Sequence, residues 1–400
     1  MGKLVFLHAA DIHLDSPFSG LKKMPAYMAE TVRESAYKAF TSLIDTAIST
    51  KVDFLLIAGD LFDGENRSLR TQVRIRKEME RLNEVQIPVY LIHGNHDHLG
   101  GSWINIQMPE NVHIFDSRPE VKQFLKADGT TVNIYGYSYP KRHVTERIIS
   151  LYKKSEGADY HIGMLHGNLE GFTEHSPYAP FALKELLEKD FDYWALGHIH
   201  KRNVISQDPP VIYPGNTQGR NKKETGEKGC YLVTLDGSTA EYVFKRTGHV
   251  IWEEAVIKVQ DAGQFDDVLR HCRKEIEDRM TAGKGFLCSI RLDISDHSNV
   301  QAFNDEFTQG LLEILQEEAM DGESIVWPYS ISVDARYLPY DPDSPFVEEL
   351  LELAEGFSDF DPALEGLYKH AGARKYLDAL DDTDKQELLR DSKRLLRQLL

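Results

Sequence analysis

Four short strings in the first half of this chain carry side chains able to hold metal ions: Asp11-Ile-His13, Gly59-Asp60, Gly94-Asn95-His96-Asp97 and Gly197-His198-Ile-His200. A fifth, Met164-Leu-His166-Gly, adds another imidazole. A hydrolytic site built on two cations needs about seven oxygen or nitrogen ligands, one carboxylate able to bridge, and open positions for water and phosphate. The strings offer two acids (Asp11, Asp60), one amide oxygen (Asn95) and four imidazoles (His13, His166, His198, His200). In Asp-x-His and His-x-His, alternate residues of an extended segment point to the same side, so both can reach one metal pair. Glycines before Asp60, Asn95 and His198 let the backbone turn sharply. Mixed oxygen and nitrogen ligands without thiolate disfavour a structural zinc site and suit two divalent ions, Mn²⁺ first, with Fe²⁺ or catalytic Zn²⁺ as alternatives. Taken singly, Asp60 could be a helix N-cap, Asn95 a turn former, and His198 and His200 solvated loop residues. Their conjunction, in order, makes coincidence improbable.

Each string follows a run of apolar, β-favouring residues. Leu4–His8 precedes Asp11, Phe54–Ala58 precedes Asp60, and Val89–His93 precedes Asn95. Tyr160–Leu165 ends on His166 and Tyr193–Leu196 on the Gly-His-x-His string. Helical spacing over Thr31–Thr50 and a charged helix over Arg67–Glu84 separate the first three strands. The pattern is that of an α/β sheet whose site forms at the carboxyl ends of its strands. Further strands are read at Val112–Phe115 and Val132–Tyr137, and Val211–Tyr213 and Cys230–Leu235 read as antiparallel closing strands around a loop. A boundary near Thr247-Gly248 separates residues 1–247 from a unit over 248–338 in the order strand, helix, strand, helix, strand. After a Pro- and Asp-rich linker, residues 339–400 read as an acidic helical segment. Residues 341–400 hold 15 Asp and Glu against 8 Lys and Arg, a local charge of −7.

The whole chain of 400 residues has a formal charge of −18, which argues against a protein that coats nucleic acid with its entire surface. An enzyme acting on DNA would need a local basic track or a basic partner. Lys201-Arg202, next to His200, is the best candidate for such a contact; Lys141-Arg142, Arg220 with Lys222-Lys223, and the arginines of 67–76 are weaker ones. No apolar run approaches the roughly 20 residues that span a bilayer, so no membrane partner is expected. Three scattered cysteines form neither a zinc motif nor an even disulfide set, which fits a reducing cytoplasm. No phosphate-binding Gly-x-x-x-x-Gly-Lys-[Ser/Thr] loop is present, so ATP hydrolysis by this chain is not expected.

The five strings resemble the signature of the calcineurin-like metallophosphoesterases. Leu7-His-Ala-Ala-Asp11-Ile-His13-Leu, Gly59-Asp60-Leu-Phe-Asp63 and Gly94-Asn95-His96-Asp97 are similar to SbcD-type DNA repair nucleases, and the opening through Asp15-Ser-Pro-Phe18 is most similar to the bacterial YhaO branch. The resemblance implies an α/β fold: a four-layer αββα sandwich with a smaller α+β capping domain and a helical C-terminal tail. By position, Asp11, His13 and His200 would hold one metal, Asn95, His166 and His198 the other, and Asp60 would bridge them. His96 would stand beside the scissile phosphate as a catalytic residue, and Asp97 would orient it by hydrogen bonding. Two positions depart from the pattern: Asp15-Ser-Pro follows the first motif where a Gly is common, and Asp63 stands where archaeal and eukaryotic relatives often carry His.

The implied function is a metal-dependent DNA phosphodiesterase, exonuclease or endonuclease, in DNA repair or end processing, using a two-metal-activated hydroxide. The implied partners are DNA, an SMC-like coiled-coil ATPase that the C-terminal helices would dock, and a second copy of the chain. The rival readings are a metallophosphoesterase for small nucleotides or phosphoproteins, and a non-catalytic regulatory subunit of an ATPase.

Overall fold

Successive residues of β1 (Leu4–Ala9) face two different cores, and that division organises the fold. Leu4 and Phe6 enter one core while Leu7 and Ala9 enter the other, as the two-residue period of a strand requires. After β1 come α1 (Ala26–Thr50), β2 (Phe54–Ala58), α2 (Leu69–Glu84), β3 (Val89–Ile92), β4 (Val112–Ile114), β5 (Glu120–Leu125) and β6 (Thr131–Gly136). They are followed by β7 (Tyr160–His166), α3 (Leu183–Leu187), β8 (Tyr193–Gly197), β9 (Asn203–Gln207), β10 (Pro210–Tyr213), β11 (Gly229–Asp236) and β12 (Thr239–Arg246). One six-stranded sheet has the order β12-β11-β1-β2-β3-β4 and a second the order β5-β6-β7-β8-β10-β9. This is a computed structural model, and it describes residues 2–16, 18, 24–64, 67–101, 104, 106–171, 178–259, 265–279, 284–294, 303–320, 325–334, 345–369, 380 and 382–399.

The layers follow from which faces are apolar. Phe6, Phe54, Tyr90, Ile134, Tyr160 and Tyr193 belong to one buried cluster drawn from both sheets. Removing one such ring from water stabilises the fold by roughly 1.5–3 kcal/mol. On the outer face of the first sheet, Phe40, Leu43 and Ala47 of α1 and Ile75, Met79 and Leu82 of α2 pack on Leu55, Ile57 and Leu91. Their three- and four-residue spacing is that of a helix with one buried stripe. Ser68 caps α2, its side chain accepting from the Thr71 N–H at 3.1 Å. On the outer face of the second sheet, Leu186 of α3 and Ile148 and Ile149 of a short 3₁₀ turn cover Leu165, Trp194 and Tyr213. The result is the four-layer αββα sandwich, with a thin fourth layer.

The two closing strands differ from expectation. β10 is parallel to β8 in the second sheet, whereas β11 is antiparallel to β1 in the first, so they do not pair with each other. Sequence periodicity also passes over β5, β9 and β12, which end the sheets as edge strands. β5 and β12 alternate half-buried with exposed residues, and such polar, half-covered edges carry little apolar signal.

The chain divides into two compact units, Met1–Glu254 with Arg279–Cys288 and Glu318–Tyr329, and Ala255–Asp278 with Ser289–Glu317 and Ser330–Leu400. A three-stranded sheet has the order β13-β14-β15, from β13 (Val250–Val259), β14 (Gly285–Ile294) and β15 (Val326–Asp334), with α4 (Phe265–Arg279) and α5 (Asp305–Met320) as the connections. Three helices follow, α6 (Pro345–Glu355), α7 (Phe360–Lys369) and α8 (Asp382–Leu399), and α6 packs on α8. Most of the Pro- and Asp-rich linker lies outside the described residues. No helix among the described residues is long and apolar enough to cross a membrane.

Candidate metal centre

The carboxyl ends of β1, β2, β3, β7 and β8 bring the five strings together. Backbone bonds tie the loops to one another: Asp11 N–H donates to Gly59 O at 3.1 Å and His13 N–H to Asp60 O at 2.9 Å. Asp11, His13, Asp60 and His198 adopt φ of 51°, 48°, 51° and 98°. Non-glycine residues in this region carry a backbone cost and persist where surrounding structure over-determines them. Gly59 has φ of 93°, which suits glycine. Gly94 has a different reason: a Cβ there would lie 2.3 Å from Asp60 Oδ1 and 2.6 Å from His166 Nε2.

Three groups of side chains could each hold an ion, their ligand atoms lying within 4.8 Å of one another: Asp11, His13 and His200; His13, Asp60 and His96; Asp11, Asp60 and His166. His13 Nε2 is 3.1 Å from His200 Nε2 and 3.6 Å from Asp60 Oδ2. His166 Nε2 is 3.1 Å from Asn95 Oδ1 and 3.3 Å from Asp60 Oδ2. Asp60 stands between the two clusters. The ring of His198 lies 5.3 Å from that of His166, and its backbone N–H donates to the Asp11 carboxylate at 3.0 Å, while its side chain joins none of the three groups.

The far nitrogens of the rings test whether these residues fit metal ions. His166 Nδ1 is 3.0 Å from Ala58 O. A carbonyl can only accept, so Nδ1 carries a hydrogen, and loss of the second ring proton would turn the Nε2 lone pair inward. His200 Nδ1 is 2.7 Å from Glu224 Oε1, and His13 Nδ1 is 3.0 Å from Asp63 Oδ1. The His13 contact is close but is not aligned as a hydrogen bond. An imidazole held at Nδ1 with Nε2 facing a shared centre is the usual support of a metal ligand. The set fits divalent cations.

Electrostatics agree. Burial works against the charge on Asp60, yet His166 and His13 hold its carboxyl well below the usual range. Asp11 is pushed up by burial and by the Asp60 charge, against the pull of His200 and His166. Burial would lower His166, but Asp60 and Asp11 outweigh it and raise its pKa to about 9. His13 is pushed down to about 3 by burial and by Arg220, which keeps this ring neutral. Two buried carboxylates side by side, one of them pushed up by burial and by the other's charge, form a site that a cation relieves.

His96 lies at the rim of the cluster. Its N–H donates to Asp60 Oδ1 at 2.9 Å and its Nδ1 donates to Asp63 O at 2.9 Å, so Nε2 is the nitrogen turned away from that carbonyl. The expected Asp97–His96 hydrogen bond is absent, because the Asp97 carboxylate is used elsewhere. It accepts from Gly94 N–H at 2.8 Å and Leu61 N–H at 2.9 Å, and it lies 3.1 Å from His93 Nδ1. Asp97 thus braces the loop after β2 against the loop after β3, and the Asp63 backbone carbonyl orients His96.

Lys201 and Arg202 are exposed, and the Arg202 guanidinium lies 3.8 Å from the centroid of the Phe244 ring. Other basic candidates are engaged: Arg74 makes a two-pronged bond to Glu34, and Arg220 is buried beneath the cluster between Asp63 and Glu224. Sequence patterning did not single out Glu224 as a support for His200. Its only signal is a charged Arg220-x-x-x-Glu224 pair in a loop between two apolar strands.

Residues 4–202 match the calcineurin-like phosphoesterase family. The chain is 41% identical over 411 aligned residues to an uncharacterized metallophosphoesterase, YhaO, of Bacillus subtilis, covering 99% of this chain and 98% of that protein. It is 24% identical to the DNA double-strand break repair protein Mre11 of Methanocaldococcus jannaschii, over 82% of this chain and 94% of that one. Identity to the Mre11 of Sulfurisphaera tokodaii is 28%, over 59% of this chain and 61% of that protein.

Proposed function

The chain belongs to the calcineurin-like metallophosphoesterase family, and from that membership we propose that it is a metal-dependent DNA phosphodiesterase that processes DNA ends in repair. The observation that carries the reading is the convergence of His13, His166 and His200 Nε2 on the Asp11 and Asp60 carboxylates. DNA is favoured as the substrate because the relatives include DNA double-strand break repair proteins aligned over most of this chain.

Asp11, His13 and His200 would hold one ion, Asn95 and His166 with the neighbouring His198 the other, and Asp60 both; Mn²⁺ suits this donor set. Two such cations supply Lewis acidity, making a hydroxide nucleophile available at neutral pH and offsetting charge on the phosphate. The chain's own residues do the rest. Asp60 stays anionic and fixes the spacing of the two clusters. His96 presents Nε2 at the rim; with Nδ1 already donating to the Asp63 carbonyl, the doubly protonated ring would give its Nε2 hydrogen to a phosphoryl oxygen or to the leaving 3′-oxygen. The left-handed loops hold these groups in place before substrate arrives, so little reorganisation is needed.

A cytoplasmic location belongs to the same proposal, supported by three buried free cysteines. So does docking of an SMC-like ATPase, supported by exposed Leu353, Phe357, Leu367 and Leu388 in the C-terminal helical region. Self-association rests on the family resemblance alone. Truncation after residue 338 is expected to abolish co-purification of that ATPase and to leave phosphodiester hydrolysis in place.

The deciding experiment digests end-labelled duplex and single-stranded DNA with added Mn²⁺, comparing wild type with His96→Ala. Cleavage by the wild type alone supports the reading. Inert DNA with turnover of small nucleotides or phosphoproteins would move the substrate class, and no hydrolysis of any phosphoester would leave a regulatory subunit.

A further inference from the structure

Beneath the Asp11–His13–His200 group lies a buried guanidinium. Arg220 has a side chain only 10% exposed. Its Nη1 donates to Asp63 Oδ1 at 2.6 Å and to Ser16 Oγ at 3.1 Å, and its Nη2 donates to Glu224 Oε1 at 3.1 Å. The same two oxygens face the ligand rings, Asp63 Oδ1 toward His13 Nδ1 and Glu224 Oε1 toward His200 Nδ1. Arg220 Nη2 also comes within 3.3 Å of His200 Nδ1. With Nδ1 donating to Glu224 this is two donors converging on one acceptor rather than a bond between them. Glu224 is fixed further through Oε2, which accepts from Asn216 Nδ2 at 2.8 Å and from the Arg220 N–H at 2.7 Å.

The arrangement has a physical purpose. A buried carboxylate beside an imidazole, with nothing else to balance it, would draw a proton onto the ring or swing toward the cation as an extra ligand. A guanidinium presents fixed, permanently charged donors, so it pins both carboxylates and cancels their charge. The other half of the centre is built differently. His166 is held by the backbone carbonyl of Ala58 and has no guanidinium behind it among its described contacts. The brace therefore serves one cluster and not the other.

We infer that Arg220, acting through Asp63 and Glu224, is the positioning residue of the cation site formed by Asp11, His13 and His200, and that it sets the affinity of that site independently of the Asn95–His166 half. The inference rests on the reading that two cations bind here. It accounts for Asp63 in this chain as a carboxylate partner of His13 and Arg220 rather than a group that meets substrate.

The test titrates the metal-stripped full chain with Mn²⁺, followed by calorimetry and by the electron paramagnetic resonance signal of a coupled manganese pair. Wild type is expected to bind two ions and show the coupled signal. Arg220→Met is expected to keep one ion at near wild-type affinity, to weaken the other by about 10–100-fold, and to give the signal of an isolated ion at limiting metal. Arg220→Lys restores charge without the fork and is expected to recover only part of the affinity. Should Arg220→Met fail to fold by circular dichroism, Glu224→Gln gives the same measurement, since Arg220 stays paired with Asp63. Two ions bound with wild-type constants in a folded variant, or equal weakening of both, would overturn the inference while the metallophosphoesterase reading stands. A wild type that binds no Mn²⁺ would remove both.

Discussion

Replacing Gly94 with alanine is expected to remove the metal centre and leave the sandwich folded. The new Cβ would lie 2.3 Å from Asp60 Oδ1 and 2.6 Å from His166 Nε2, where ordinary contact begins at 3.4 Å. Something must therefore move by about 1 Å, and the neighbours have little freedom to yield. Asp60 Oδ1 accepts from the His96 N–H at 2.9 Å, His166 is fixed through Ala58 O at 3.0 Å, and Gly94 itself is tied to Asp97 at 2.8 Å. Overpacking of this kind costs about 1–3 kcal/mol of stability. Metal–ligand distances tolerate only about 0.2 Å, and a 1 Å misplacement at a reacting centre costs on the order of 10²-fold in rate. The assay is Mn²⁺ titration with a chromogenic phosphodiester, alongside thermal melting. Expected are a Tm lowered by a few degrees, Mn²⁺ affinity down at least about tenfold and kcat/KM down at least about 10²-fold. Gly64→Ala is the control, since a Cβ there meets nothing within 4 Å. A Gly94→Ala protein with the wild-type Mn²⁺ isotherm and rate would refute the packing argument and the assignment of Asp60 and His166 as ligands.

His96→Ala is expected to keep both ions and to lose about 10²–10⁴-fold in kcat; loss of both metals, measured by elemental analysis, would contradict its placement as a catalytic group rather than a ligand. Asp60→Asn is expected to abolish Mn²⁺ binding at both clusters, and a variant retaining one tight site in calorimetry would show that Asp60 does not link them. In the metal-free protein His166 has a pKa raised to about 9 from an ordinary 6.5. Its charge stabilises that form fully below about pH 6.5 and the benefit fades as pH rises through 9, so Mn²⁺ must expel a proton and its affinity should climb over that window. Titration heats that depend on buffer ionisation enthalpy check this, and their absence at pH 7.5 would refute it.

The clustering of the candidate residues was legible in the sequence because each candidate follows a run of apolar residues that reads as a strand. Asp11, Asp60, Asn95, His166 and His200 each follow such a run, and the structure gathers them. What escaped were partners chosen by the fold. Asp97 sits next to His96 in sequence, and adjacency suggested a bond. The loop instead turns its carboxylate back toward Gly94 and Leu61. Glu224 reaches His200 across a loop of the first sheet's return path, a contact that no local spacing encodes. Arg220 read as a weaker candidate for DNA contact beside Lys222-Lys223, yet it is drawn inside by Asp63, far from it in sequence, and by Glu224, four residues on. The edge strands β5 and β12 were missed because one covered face leaves them partly polar, and β9 because only two of its five residues, Val204 and Ile205, are apolar.

The candidate ligands come from both sheets: Asp11, Asp60 and Asn95 hang from the first, His166, His198 and His200 from the second. A pair of ions gripped there would rivet two slabs otherwise joined by the greasy layer of Phe6, Phe54, Tyr160 and Tyr193 and by bonds such as His8 to Leu196 O. Any slip of one slab across the other would be registered at the rivet first. Damage deep in that layer, well away from every ligand, should thus surface as leaky metal retention before the protein visibly unravels.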